Sequence, residues 1–322
     1  MPEMTPRERF IAALKRQPLT GRVPTFELVF FLTMEAFGVV HHSQRVFRQW
    51  SQMSKEEQAA HYKSIAEMYV MTAEKYEHNA IFVHESPMGA IPILEQIREI
   101  SGDKYFLMLH GDATYEVPDG NHMLDFTYRM ADEPEEMQAE ADERVKRKLE
   151  EYEKAFGNRP ELIDGAALCA DYCLNVGPFL SPTQFSEFVA PYLEKLIAGY
   201  RDMGIYTIKH SDGNIMPIID QIVQCKPDAL HSLDPQGGVS LAEVKRLYGD
   251  KVALCGNVNC GLLQTGTDEE VIADVRRSLR EGMEGGPGYI FCTSNCIYTG
   301  MPLRRYEMMN QIWREEGNYP VK

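Results

Sequence analysis

Several short apolar runs in this sequence end in side chains able to ligate a metal or exchange protons. The most specific is IYTIKHSDGN, residues 205–214, where an apolar run meets a His-Ser-Asp-Gly-Asn turn just ahead of Pro217. Neutral imidazole and carboxylate are both accepted ligands of divalent metals, so His210 and Asp212 could hold one; the same groups could instead trade protons with a substrate. A plainer reading is also open, in which Asp212 or Asn214 caps the next helix and His210 packs beside it. DALHSLDP (228–235) repeats the pattern with His231 and Asp234, although Asp-Pro also starts turns. VALCGNV (252–258) carries Cys255, a metal ligand or a buried inert thiol, and Asn257, expected to bond substrate or a neighbouring side chain. The last run, YIFCTSN (289–295), leads through Asn295 to Cys296 and Tyr298. Cys296 is a candidate thiolate ligand or substrate contact, Asn295 and Tyr298 are candidate substrate contacts, and Cys292 reads as core.

The first half of the chain adds carboxylates. VPTFELVFF is an apolar run interrupted by Glu27, which in such company must be paired, hydrogen-bonded or protonated. AIFVHES (80–86) places His84 and Glu85 after an apolar stretch, and LIDGAALCAD (162–171) ends in Asp171, followed by Tyr172. A half-buried Asp171 could hold a cation or act as acid or base, or simply cap a helix. Cys169 and Cys173, which flank the Asp171-Tyr172 pair, read as structural.

Residues so far apart in sequence meet only if their runs are strands of one sheet. With YFLMLHG (105–111) there are eight such runs, separated by helical stretches such as SPTQFSEFVAPYLEKLIAGYRDMG and TDEEVIADVRRSLREGM. Strand and helix alternation with nearly unbroken apolar strands implies a parallel sheet covered on both faces, and the count of eight fits a (β/α)8 TIM barrel. Its strand ends would gather Glu27, Asp171, His210 and Asp212 as catalytic groups, ringed by substrate contacts. No G-x-G-x-x-G or G-x-x-x-x-G-K-[ST] follows any run, which speaks against nucleotide-binding folds.

The expected organisation is one barrel domain over residues 1–322, with a short N-terminal helix. Thr5 to Lys15 fits that helix, with Thr5 as N-cap, Pro6 at its first position, Glu8 three residues after the cap and Phe10, Ile11 and Leu14 as buried stripe. Residues 131–156 are densely charged and read as a solvent-exposed helical insertion. A formal charge of −15, from 48 acidic against 33 basic residues, disfavours nucleic acid as a partner. No apolar stretch suggests a membrane span, MPEMTPRERFIAALKRQP does not read as a secretory signal, and the seven cysteines read as reduced thiols. A cytoplasmic location is expected; a homodimer is compatible with all of this.

Several segments together resemble the uroporphyrinogen-decarboxylase superfamily over nearly the whole chain: RERFIAAL, RVPTFE, GPFLSPTQFSEFVAPY, HSDGNIMPIID, LHSLDP, LAEVKRLYGD, ALCGNV and the late Gly-Tyr-Ile strand. In particular the sequence resembles the branch of cobalamin-dependent methyltransferases. That resemblance implies a barrel with its pocket at the mouth and a methyl group moved between a small substrate and a corrinoid. Stretches typical of true uroporphyrinogen decarboxylases, F-M-R-Q-A-G-R-Y and a Ser-Asp-Ile segment, are not found, and VPTFELVFFLTMEAFG offers no arginine fork for substrate carboxylates.

Thiol-alkylating members of that branch bind zinc through a His-x-Cys pair and a later Cys, to which His210, Asp212 and Cys296 correspond here. Aspartate in place of the first cysteine makes the site harder. The resemblance to O-demethylase methyltransferases implies zinc held among His210, Asp212, Cys255 and Cys296, and a methylated substrate such as a phenyl methyl ether. The corrinoid, as methylcobalamin or its reduced form, would arrive on a partner protein, because no D-x-H-x-x-G motif is present. Two other classes stay open: a metal-free decarboxylase or lyase working through carboxylates and His, and a barrel that only binds a ligand.

Overall fold

Thr5 opens the first helix as the sequence predicts. In the computed structural model, which describes residues 4–46 and 49–319, α1 spans Pro6–Leu14 with a reciprocal capping box between Thr5 and Glu8. Of its buried residues, Phe10, Ala13 and Leu14 lie at i, i+3 and i+4, while Ile11 is only partly covered. Phe10 inserts its ring 5.4 Å from Phe26 and 4.7 Å from Phe106, so α1 packs against the strands rather than lying free.

Seven of the eight expected runs form regular strands of one sheet: β1 Ala80–Val83, β2 Phe106–His110, β3 Gly165–Leu168, β4 Tyr206–His210, β5 Ala229–His231, β6 Ala253–Cys255 and β7 Tyr289–Ile290. Each strand pairs in parallel with the next in chain order. Parallel neighbours need long crossovers, and helices supply them. α2 (Lys55–Lys75) precedes β1; α3 (Pro87–Ser101), α4 (Pro134–Phe156), α5 (Ala190–Asp202), α6 (Ile219–Gln224), α7 (Leu241–Tyr248) and α8 (Asp268–Met283) join the strands in turn, and α9 (Leu303–Glu316) follows β7. The result is a curled α/β sheet of the TIM-barrel type.

The first run behaves differently from the other seven. Thr25 makes an isolated parallel bridge to Phe291, whose N–H donates to Pro24 O at 2.9 Å, just past β7, and Phe30 makes a second such bridge to Ile297. On its other side Asn79 N donates to Thr25 O at 2.7 Å, at the entry to β1. A longer ladder is blocked locally: Pro24 has no N–H, and Thr25 N donates to the Asn79 side chain at 2.9 Å. The segment therefore bonds to both outer edges of the sheet without forming a regular strand.

The charged stretch is the crossover between β2 and β3. α4 turns its charges outward, with ion pairs such as Lys148–Glu151 at 2.8 Å, but buries Met137, Ala141, Val145 and Tyr152. Tyr152 also donates to His110 O at 2.7 Å, tying α4 to the end of β2. Among the described residues, no helix is long and apolar enough to cross a membrane.

Candidate active site

His210 is the last residue of β4 and lies in register with His231, the last residue of β5. Both rings are buried, and their Nδ1 atoms are 2.7 Å apart. Such a contact needs one donor and one acceptor, so at least one ring is neutral. Burial pushes His210 down to about 3 and His231 well below its ordinary value, which makes both neutral near pH 7. When His210 Nδ1 holds the shared proton, its Nε2 presents a lone pair toward the mouth.

Two carboxylates face that nitrogen. Asp171, beyond the end of β3, lies 3.7 Å from His210 Nε2 through Oδ1, and Asp212, in the turn after β4, lies 3.6 Å away through its own Oδ1. These separations are long for hydrogen bonds but near the roughly 3.3 Å between two ligands on a tetrahedral zinc, given bond lengths of about 2.0–2.1 Å. The turn is held in detail. Asp212 N donates to Asp171 Oδ1 at 2.7 Å, Asn295 Nδ2 donates to Asp212 Oδ2, and Asp212 Oδ1 has no partner of hydrogen-bond geometry among the described residues. Burial raises Asp171, and burial together with the facing Asp171 charge pushes Asp212 up to about 7. An imidazole, two carboxylates and an unpartnered buried oxygen fit a divalent cation. Among the described residues the three-ligand group is Asp171, His210 and Asp212.

Neither cysteine expected as a ligand belongs to that group. Cys255 is wholly buried in β6, paired in register with His231 and Ile290, and burial drives its thiol far up. Cys296 is half-buried and closer to the chemistry. Burial pushes its thiol up to about 12, with the Cys260, Asp212, Glu27 and Asp171 charges adding to the effect.

The remaining expected residues divide between the mouth and the scaffold. Asn295 reaches the site through Asp212, and its Oδ1 accepts from Cys296 N at 2.6 Å. Tyr298 is partly buried, and burial chiefly raises its phenol, with the Cys260, Cys296, Asp212 and Asp234 charges adding to it. His84 keeps both ring nitrogens buried without hydrogen-bond partners among the described residues, and is pushed down to about 2 by burial and by the neighbouring histidines. Asp234 directs its carboxylate to backbone, accepting from Gly213 N at 3.1 Å and Gln236 N at 2.9 Å. Asn214 accepts from Met216 N at 3.2 Å, an Asx turn. Gly213 between them has φ +78°, and a Cβ there would lie 2.6 Å from Leu174 O, so this turn requires glycine.

Asn257 is fully buried, donating to Leu233 O at 2.7 Å and accepting from Arg277 at 3.1 Å, so its bonds go to neighbours in the fold. Tyr172 is buried with its hydroxyl 2.7 Å from Thr114 Oγ1, and exposed Glu85 accepts from Ser86 N at 2.9 Å beside the start of α3. Glu27 stands outside the ligand group. Its carboxyl accepts from Thr293 N at 3.3 Å and lies 2.5 Å from Thr293 Oγ1, which donates to Asn295 O at 2.7 Å. Burial pushes Glu27 up to about 8, so as a neutral acid it can donate to Thr293 and let that single hydroxyl proton serve Asn295. Sequence reasoning missed Lys209 and Asp112, a buried pair 2.8 Å apart beside the Asp171 loop. The signal was present: one lysine within the apolar IYTIKH run requires a partner.

Sheet and site together define a parallel α/β protein with its polar cluster at the C-terminal strand ends, where such folds carry their chemistry. Residues 161–316 match the uroporphyrinogen decarboxylase (URO-D) family. The uroporphyrinogen decarboxylase of Photobacterium profundum is 27% identical over 136 residues, 39% of this chain and 35% of that protein. That of Pseudoalteromonas translucida is 31% identical over 125 residues, covering 36% and 32%. The matched region thus spans about a third of the length of these curated relatives. A solved Xaa-Pro dipeptidase with bound methionine in its active site superposes with TM-score 0.50 at 13% identity, over 94% of this chain and 72% of that one, a likeness of fold alone. These matches support a likeness to the uroporphyrinogen-decarboxylase superfamily.

Proposed function

We propose that the chain closes as a (β/α)8 barrel through its Thr25 segment and works as a corrinoid-dependent methyltransferase on a small methylated substrate such as a phenyl methyl ether. The observation that carries this reading is the convergence of Asp171, His210 and Asp212 at neighbouring strand ends. A divalent ion there, zinc in our reading, would supply Lewis acidity to the oxygen that the methyl group leaves. The methyl acceptor would be a corrinoid on a partner protein.

The chain's own residues do the positioning. His231 fixes the His210 ring, and Asp212 N and Asn295 Nδ2 orient the two carboxylates. Lys209 gives its N–H groups to Asp112, Leu168 O and Ala170 O, so it is not offered to a substrate carboxylate; a neutral methylated substrate suits the site better.

A metal-free decarboxylase or lyase is the second reading. The Asp212 carboxyl, raised to about 7, is suited to exchange protons near neutral pH, and the curated relatives carry the decarboxylase name. Elemental analysis, with an ultraviolet-visible assay of cob(I)alamin methylation across methoxyaromatics and methylamines, separates the two. Methylation that is lost on chelation supports the first reading; full turnover of any substrate after complete chelation refutes it.

A further inference from the structure

Asp171 is the most exposed of the three ligand candidates, with 44% of its side chain accessible, yet its loop is gripped on both sides. Lys209, the penultimate residue of β4, is 1% exposed, and its Nζ donates to Asp112 Oδ2 at 2.8 Å, Ala170 O at 2.7 Å and Leu168 O at 3.1 Å. An ammonium has three N–H groups, so each has its acceptor. Asp112 Oδ2 also accepts from Ala170 N at 2.9 Å, and its Oδ1 accepts from Thr114 N and Thr114 Oγ1 at 2.9 and 2.7 Å. The pair therefore holds both the N–H and the carbonyl of Ala170, the residue before Asp171. Tyr172, the residue after it, lies with its ring 3.9 Å under Lys209 Nζ, while its N–H donates to Ser211 Oγ at 3.0 Å.

A pair buried this deeply offsets its desolvation with its mutual attraction and is seldom more stabilising than apolar packing of equal volume. Its value lies in direction: these bonds fix the backbone on either side of a carboxylate whose side chain is 44% exposed and which faces the mouth through Asp212 N and His210. We propose that Lys209 and Asp112 are positioning residues that clamp the 168–172 loop so that Asp171 faces His210 and Asp212. The proposal rests on reading those three as a metal site. Loss of such supporting contacts typically weakens metal binding by about 10–100-fold.

The test compares the wild-type chain with Lys209→Met/Asp112→Leu, which removes both charges together, and with Lys209→Gln, which leaves Asp112 its three remaining donors. Co2+ is titrated by its visible absorption, and amide hydrogen exchange is followed over residues 168–173. Both variants are expected to bind Co2+ about 10–100-fold more weakly, with an altered band, and to exchange faster in that segment. Wild-type affinity, or wild-type exchange at 168–173, overturns the proposal. Should the double variant fail to fold, Lys209→Gln carries the same comparison. If the wild-type chain takes up no Co2+, the metal reading falls and exchange alone decides: faster exchange keeps the clamp as an organiser of the loop, and unchanged exchange removes it.

Discussion

Replacing Glu27 by Gln keeps the shape of the side chain and removes its charge, so it isolates what ionisation costs at this buried position. The folded-state value of about 8 lies above the ordinary 4.5, chiefly through burial, with the Thr293 bonds opposing it. Between those values the folded chain holds a proton that the unfolded chain has lost. Stability from this group is therefore fully present below about pH 4.5 and is lost as pH rises toward about pH 8. The slope is about 1.4 kcal/mol per pH unit, or about 2 kcal/mol between pH 6 and pH 8 once the approach to the folded value is included. Cys260, Cys292, Cys296 and Tyr306 feel the Glu27 charge or are felt by it, but burial raises all four far above this window, so they stay neutral. Urea denaturation of both proteins across this range reads the difference directly. Wild type should lose about 2 kcal/mol relative to Glu27→Gln as pH rises from 6 to 8. Parallel pH profiles would refute the claim that Glu27 is folded as a neutral acid.

Three further outcomes follow from the geometry. His210→Ala should abolish stoichiometric metal uptake while circular dichroism stays native, and should lower stability by about 1–3 kcal/mol because His231 Nδ1 loses its partner; full metal retention would remove His210 from the ligand set. Gly213→Ala meets Leu174 O at 2.6 Å with φ at +78°, so thermal denaturation should show a cost of about 1–3 kcal/mol, and an unchanged melting temperature would mean that the turn relaxes freely. Phe10→Ala should cost about 3–5 kcal/mol in urea denaturation by opening a cavity against Phe26 and Phe106, and a loss below about 1 kcal/mol would show that α1 does not seal this core.

What the sequence made legible follows from how local each signal is. The Thr5 cap depends on Glu8 three residues away, and the seven regular strands depend on runs of adjacent apolar residues, so both could be read from neighbours along the chain. α4 was harder because its buried stripe of Met137, Ala141, Val145 and Tyr152 is diluted by charges on every other face. The site was legible residue by residue but not as a set. Asp171, His210 and Asp212 each stood out, yet spacing offered no reason to join Asp171 to the other two, and it was the family resemblance that pointed to the late cysteines as zinc ligands. Which side chains share a pocket is decided by strand order and by the direction each turn takes after its strand. Here that direction is set by Asp212 N bonding Asp171, Asn295 bonding Asp212, and Asp234 holding the turn at Gly213. Glu27 shows the same dependence: a lone carboxylate in an apolar run had to be neutralised or paired, but only the fold reveals that its bonds end on Thr293, one step from Asn295. A change at Thr293 should thus reach the ligands through the Thr293–Cys296 segment: Thr293→Val, which removes the bond to Asn295 O, should weaken metal affinity, whereas Glu27→Gln, whose amide can still donate to Thr293 Oγ1, should leave it near wild type. Equal weakening by both substitutions would mean that Glu27 acts on the site by another route.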